Sequence, residues 1–184
     1  LTINISSPNT ENLRSFHNEN ELNELLSSIE KEKKILKTTV PISVKISPDI
    51  EDQNINIISD LLLKHNVEGL IVSNTTDKNR ENLSNINKLE KGGLSGKPLE
   101  KRSNELINKF YKILKNKVTI IGVGGVDSGQ SAYQKIISGA SLIQLYTGMI
   151  YHGPSVASKI SEELINILDK EGVKNISDIV GSKN

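Results

Sequence analysis

Val118-Thr119-Ile120-Ile121-Gly122-Val123-Gly124-Gly125 decides the fold class: it is a short run rich in Ile and Val that stops on two glycines. A strand without polar alternation is buried on both faces, as in a parallel sheet wrapped by helices. Four other runs share this character, at Thr2–Ile5, Ile42–Ile46, Gly69–Ser73 and Ser141–Tyr146. Longer segments between them carry apolar residues at helical spacing. Leu22, Leu25, Leu26, Ile29 and Leu36 make one stripe, and Pro48-Asp49 is expected to start a helix bearing Ile55, Ile58, Leu61 and Leu62. Leu106, Ile107, Phe110, Tyr111 and Leu114 mark a third helix. Ser128 is placed to cap a fourth through Ile136 and Ile137, with Gly139 closing it. Val156, Ile160, Leu164 and Leu168 mark the last, ending near Gly172.

Alternating strands and helices predict an α/β fold with a parallel sheet. Five such units are too few for an eight-stranded barrel, which usually takes about 250 residues. The chain has 184 residues, opens inside a strand at Leu1-Thr2-Ile3-Asn4-Ile5, and carries its single methionine at Met149. We therefore expect the last five βα units of a (β/α)8 TIM barrel. Residues 1–184 would form the C-terminal part of one domain, with three units preceding them. An open doubly wound sheet is the alternative, since it needs nothing further.

Composition narrows the chemistry. Charge is nearly balanced, 23 basic against 22 acidic side chains, so no nucleic-acid partner is expected. The absence of cysteine excludes a disulfide frame, a thiolate metal site and a cysteine nucleophile. The three histidines, His17, His65 and His152, are far apart in sequence, and no metal centre is expected. No apolar run approaches a membrane span, and no signal peptide opens the chain.

In a barrel the chemistry lies at the C-terminal ends of the strands. The first strand leads to Asn4 and Ser6-Ser7-Pro8-Asn9-Thr10, and the second carries Lys45 before Ser47-Pro48-Asp49. The third ends in Ser73-Asn74-Thr75-Thr76, the fourth in Gly124-Gly125, and the fifth in Tyr146-Thr147-Gly148. The last two ends suit a phosphate, because glycines let backbone amides approach closely. Two commoner nucleotide motifs fail. In Gly92-Gly93-Leu94-Ser95-Gly96-Lys97-Pro98, Lys91 stands where a P-loop needs its first glycine, and Pro98 where it needs Ser or Thr. Gly122-Val123-Gly124-Gly125-Val126-Asp127 ends on Asp127, which breaks the dinucleotide fingerprint. Lys45, on a buried strand, should face an anion or an electron-rich ring, or else a carboxylate such as Asp49. Asn4, Asn9 and Asn74 offer both donors and acceptors to a planar, amide-rich substrate, or else serve as turn residues.

In this order, the segments Asn4-Ile5-Ser6-Ser7-Pro8-Asn9-Thr10, Val44-Lys45-Ile46-Ser47-Pro48-Asp49, Ser73-Asn74-Thr75-Thr76 and Gly92-Gly93-Leu94-Ser95-Gly96-Lys97-Pro98-Leu99 resemble the class 2 dihydroorotate dehydrogenases. Ile120-Ile121-Gly122-Val123-Gly124-Gly125-Val126 and Gly139 through Thr147 extend the resemblance over nearly the whole chain. It implies oxidation of dihydroorotate to orotate in pyrimidine synthesis, with FMN as hydride acceptor and ubiquinone or another quinone as oxidant. Ser7 would be the catalytic base, a position where class 1 members carry cysteine. Asn4, Lys45, Ser73, Gly96, Gly125, Tyr146 and Thr147 would hold FMN, and Asn4, Asn9, Asn74 and Thr75 the substrate. Departures are Ser73 for the usual Thr, Ser155 for a proline, and Asn12 for a common glycine; asparagine tolerates a left-handed backbone there. The resemblance further implies a monomer attached peripherally to a membrane through the preceding segment, at the cytoplasmic face of a bacterial inner membrane or at the mitochondrial one. The competing readings are another FMN barrel, such as a tRNA-dihydrouridine synthase, and a non-catalytic barrel fragment.

Overall fold

Gly-Leu-Ile-Val at residues 69–72 is buried at every position, and the sheet is built outward from it. The structure is a computed structural model, and it describes residues 1–10 and 12–183. Five strands, β1 (Thr2–Asn4), β2 (Ser43–Ile46), β3 (Gly69–Val72), β4 (Thr119–Val123) and β5 (Leu142–Gln144), lie side by side in chain order. All neighbouring pairs are parallel. Each crossover must then carry a helix over one face of the sheet. The helices are α1 (Glu19–Ile35), α2 (Asp52–Lys64), α3 (Glu100–Leu114) and α4 (Gly129–Ser138), followed by α5 (Thr147–His152) and α6 (Val156–Lys170).

The expected stripes form the core. Leu106, Ile107, Phe110 and Leu114 of α3 are fully buried, as are Leu22 of α1 and Ile58 and Leu62 of α2. Each such side chain contributes about 1.5–3 kcal/mol by leaving water. Helix α4 is capped at Ser128, whose side chain accepts from the Ser131 amide at 3.3 Å while Ser131 Oγ accepts from the Ser128 amide at 3.0 Å. Gly139 closes it at φ 123°. Asn12 does stand in the left-handed region, at φ 59°.

Three expectations need correction. Helix α2 begins at Asp52, not at Pro48-Asp49. The carbonyls of Pro48 and Ile50 are taken by Arg102 of α3, at 3.0 and 2.9 Å, so this segment forms a turn held from outside. Leu36 falls past the end of α1 and is 69% exposed. The outer strands are also not buried on both faces: β1 and β5 alternate exposed and half-buried residues, because each pairs on one side only. Among the described residues no helix is long and apolar enough to cross a membrane.

Candidate active site

The C-terminal ends of β2 to β5 open into a cleft of about 910 Å³. Eight residues singled out in the sequence line it: Lys45, Ser73, Asn74, Thr75, Gly96, Gly125, Tyr146 and Thr147. They come from four strand ends and the long loop after β3. That loop is held inward by a bridge between Thr76 and Leu94, with amide–carbonyl bonds of 3.1 and 2.6 Å. On the same wall, Thr147 Oγ1 donates to Ser95 Oγ at 2.9 Å beside Gly96.

Lys45 points into this space half-buried. Asp49, the carboxylate considered for it, is taken by Arg14 instead at 3.2 Å. Among the described residues no hydrogen bond or ion pair engages the Lys45 ammonium, and burial lowers its pKa. An ammonium kept this way fits an electron-rich or anionic ligand. Gly125 explains the other end of the cleft. It sits at φ 76°, and a Cβ there would lie 2.5 Å from Glu100 Cβ and 2.9 Å from Glu100 Cα. Only glycine brings the backbone this close to α3, which leaves the loop's open side free for a phosphate-sized group.

The remaining three predicted residues lie beside the cleft, not in its lining. Asn4 Oδ1 accepts from Ser6 Oγ at 2.5 Å and from the Ser6 amide at 3.2 Å. Asn74 Nδ2 reaches the same group, donating to Ser6 Oγ at 2.9 Å and to Asn4 Oδ1 at 3.4 Å. Ser6, absent from the sequence-based set, is thus the fully buried centre that joins the first and third strand ends. Ser7 is half-buried in the loop after β1, and its Oγ accepts from the Asn9 amide at 3.2 Å. Asn9 is exposed and borders a separate surface pocket with Pro8 and Asp77. Pro8 nevertheless approaches the cleft: a Cβ on Gly93 would overlap Thr75 and lie 3.3 Å from Pro8 Cγ.

The loop carrying Ser7 is anchored further along by residues that sequence reasoning missed. Arg14, in a short 3-10 turn over Leu13–His17, pairs with Asp49 at 3.2 Å and with Asp77 at 3.0 Å. Asp49 also accepts from Thr76 Oγ1 at 2.5 Å, so one cluster ties the loops after β1, β2 and β3. The hydrogen bond from Arg14 holds the Asp77 carboxyl below the usual carboxylate range. Substituting Arg14 by Met is expected to destabilise the protein by about 1–3 kcal/mol, since Asp49 keeps Thr76 but loses its counter-ion. Urea unfolding reads this directly, and a wild-type midpoint would show that the bridge contributes nothing.

His17 fixes the other side of this turn. Its Nε2 accepts from the Ser47 amide at 3.3 Å, while Nδ1 lies 3.0 Å from the Arg14 carbonyl. This geometry requires the neutral ring with its proton on Nδ1. Burial pushes the His17 pKa down; the carbonyl of Arg14 opposes the shift, and the nearby guanidinium adds to it. The unfolded chain therefore takes up a proton first as pH falls, and stability present above about pH 6.5 is lost below it. Urea midpoints followed downward from neutral pH should fall more steeply for wild type than for His17→Gln. Parallel profiles would rule out this contribution.

Comparison with known proteins agrees with the geometry. The family model described as dihydroorotate dehydrogenase matches residues 1–168. The dihydroorotate dehydrogenase (quinone) of Trichodesmium erythraeum (strain IMS101) is 43% identical over all of this chain and 50% of its own length. The mitochondrial dihydroorotate dehydrogenase (quinone) of Mus musculus is 40% identical over 98% of this chain and 46% of its own length. The crystal structure of the Eimeria tenella enzyme in complex with ferulenol superposes with a TM-score of 0.94 at 37% identity, covering all of this chain and 53% of that one. The chain thus spans about half the length of the curated relatives it matches, as a partial barrel would, and nothing in the comparisons supports a tRNA-modifying barrel. Five parallel βα units, polar strand ends gathered at one rim and a matching family model agree: the chain belongs to the dihydroorotate dehydrogenase family.

Proposed function

We propose that the protein containing this chain oxidises dihydroorotate to orotate in pyrimidine synthesis, with FMN as cofactor and a quinone as electron acceptor. The observation that carries this reading is the single cleft lined by eight expected residues from separate loops. The relatives' quinone-dependent names support the acceptor. The open edges at β1 and β5, where Leu1 and Leu142 are 75% and 56% exposed, suit pairing with three further strands. Membrane contact would lie in those further parts, at a bacterial or a mitochondrial inner membrane.

FMN, when bound, would supply a hydride acceptor for C6 of the substrate and a two-electron reductant for the quinone. Lys45 would hold its electron-rich ring edge, with Asn4 and Ser73 alongside. Gly125, Gly96, Tyr146 and Thr147 would hold the phosphate end. Asn74 and Thr75, with Asn4 and Asn9, would orient the substrate's amides. Ser7 Oγ would accept the C5 proton and hand it on, with Thr10, three residues along the loop, as the candidate relay hydroxyl. A free serine is a weak base, so the loop must close and exclude water while a relay removes the proton.

The test uses the complete FMN-loaded protein with dihydroorotate and each of three acceptors: a soluble quinone analogue, fumarate and NAD⁺. Orotate should form with the quinone alone. Turnover with fumarate or NAD⁺ instead would overturn the quinone assignment, and no orotate with any acceptor would overturn the activity.

A further inference from the structure

Lys135 of α4 has no solvent exposure, and no role assigned so far uses it. Its stem runs beneath Gly122 of β4, where a Cβ would lie 3.1 Å from Lys135 Cδ. The ammonium ends between α4 and α3, donating to Ser103 Oγ at 3.1 Å and to Asn104 Oδ1 at 2.9 Å. Both acceptors are neutral, and among the described residues no carboxylate forms an ion pair with it. Burial lowers its pKa to about 8, with the charge of Glu100 acting in the opposite sense. A buried ammonium is expensive, and an apolar side chain of similar volume would pack two helices at lower cost. The position therefore calls for a use of the charge.

Ser103 shows where that charge is directed. Its Oγ donates to the Val123 carbonyl at 2.7 Å and lies 3.2 Å from the Val72 carbonyl. These carbonyls close β4 and β3, and Val123 O also accepts from the Ser73 amide at 3.1 Å. The residues that follow them are Ser73 and Gly124-Gly125, which line the cleft. A Cβ on Gly124 would stand 3.5 Å from Ser103 Cβ, so the glycine loop rests directly on this serine. One chain of contacts thus runs from the buried ammonium, through one hydroxyl, to the ends of β3 and β4, and at β4 it meets the Gly124-Gly125 loop read above as part of the phosphate end.

We propose that Lys135 is a positioning residue for the phosphate of the flavin: it holds Ser103 against the ends of β3 and β4 and places a positive charge that forms no ion pair beneath the Gly124-Gly125 loop. The proposal rests on the flavin reading given above. It predicts a specific signature, because the charge acts on the phosphate and not on the isoalloxazine ring. A residue that merely packed α3 against α4 would weaken every flavin alike.

The experiment compares FMN with riboflavin, which lacks the phosphate. Apoprotein prepared from the complete enzyme is titrated with each flavin by fluorescence quenching, for wild type and for Lys135→Met. FMN affinity should fall about tenfold in the variant, while riboflavin affinity stays within about twofold. An equal loss for both flavins, or no loss for either, would overturn the proposal. Should Lys135→Met fail to fold, Ser103→Ala keeps the charge and breaks the relay; it should weaken FMN severalfold and spare riboflavin, and unchanged FMN binding would overturn the proposal. A wild-type apoprotein that binds neither flavin would instead refute the flavin reading itself.

Discussion

Replacing Ser7 by alanine is expected to lower kcat for dihydroorotate oxidation by about 10²–10⁴-fold, the usual contribution of a positioned general base. KM and FMN content should change little, because the role proposed for the side chain lies in the transition state. The structure explains why the fold should tolerate the change. Ser7 Oγ accepts one hydrogen bond, from the nearby Asn9 amide, and the loop is anchored elsewhere by Arg14 and His17. Steady-state turnover with a quinone analogue, together with flavin stoichiometry, separates the effects. Unchanged kcat would remove Ser7 from the mechanism. Lost flavin would mean that the hydroxyl serves the fold.

The second large effect is expected at Gly125. Substituting alanine puts a Cβ within 3.0 Å of the Glu100 backbone nitrogen at a backbone angle of φ 76°. Both penalties fall on one residue: a left-handed conformation for an L side chain and overpacking against a helix backbone. Together they cost about 2–4 kcal/mol. The strain can be relieved only by moving the loop or α3, and either movement deforms the end of the cleft proposed to hold the phosphate. Gly125→Ala should therefore purify colourless and unfold at lower urea than wild type. A yellow, stoichiometric variant with a wild-type midpoint would show that this glycine is dispensable.

How much of this was legible in the sequence depends on the range of the interaction. The strand order was readable because buried parallel strands are continuous apolar runs, and β3 is the clearest case. Readings overshot at the margins for the same reason. Tyr146 continues an apolar run but is 71% exposed at the sheet's edge, and Leu36 continues a helical stripe past the helix. The start of α2 was misplaced because Pro48-Asp49 is a good local helix signal, whereas Arg102, which claims its carbonyls, is far away in sequence.

The placement of the candidate site at the strand ends was legible from residue type alone, as for Gly96, Gly125 and the strand-end Lys45, which line one cleft. It was illegible where a partner decides the role. Ser6 looks like any loop serine until Asn4 and Asn74 converge on it. Arg14 looks like a surface cation until two carboxylates from other loops meet it. Lys135 did leave a trace, since it falls between Ala132 and Ile136 on the apolar stripe of α4, where a charge is out of place.

The central claim is that these strand ends supply a flavin and a dihydroorotate site in one cleft. It is tested most directly by adding dihydroorotate anaerobically to the complete FMN-loaded enzyme, without any quinone, and following the flavin absorbance. The account predicts rapid bleaching in wild type, with one orotate formed per flavin. A flavin that stays oxidised at saturating dihydroorotate, yet bleaches with a nicotinamide donor, would contradict it.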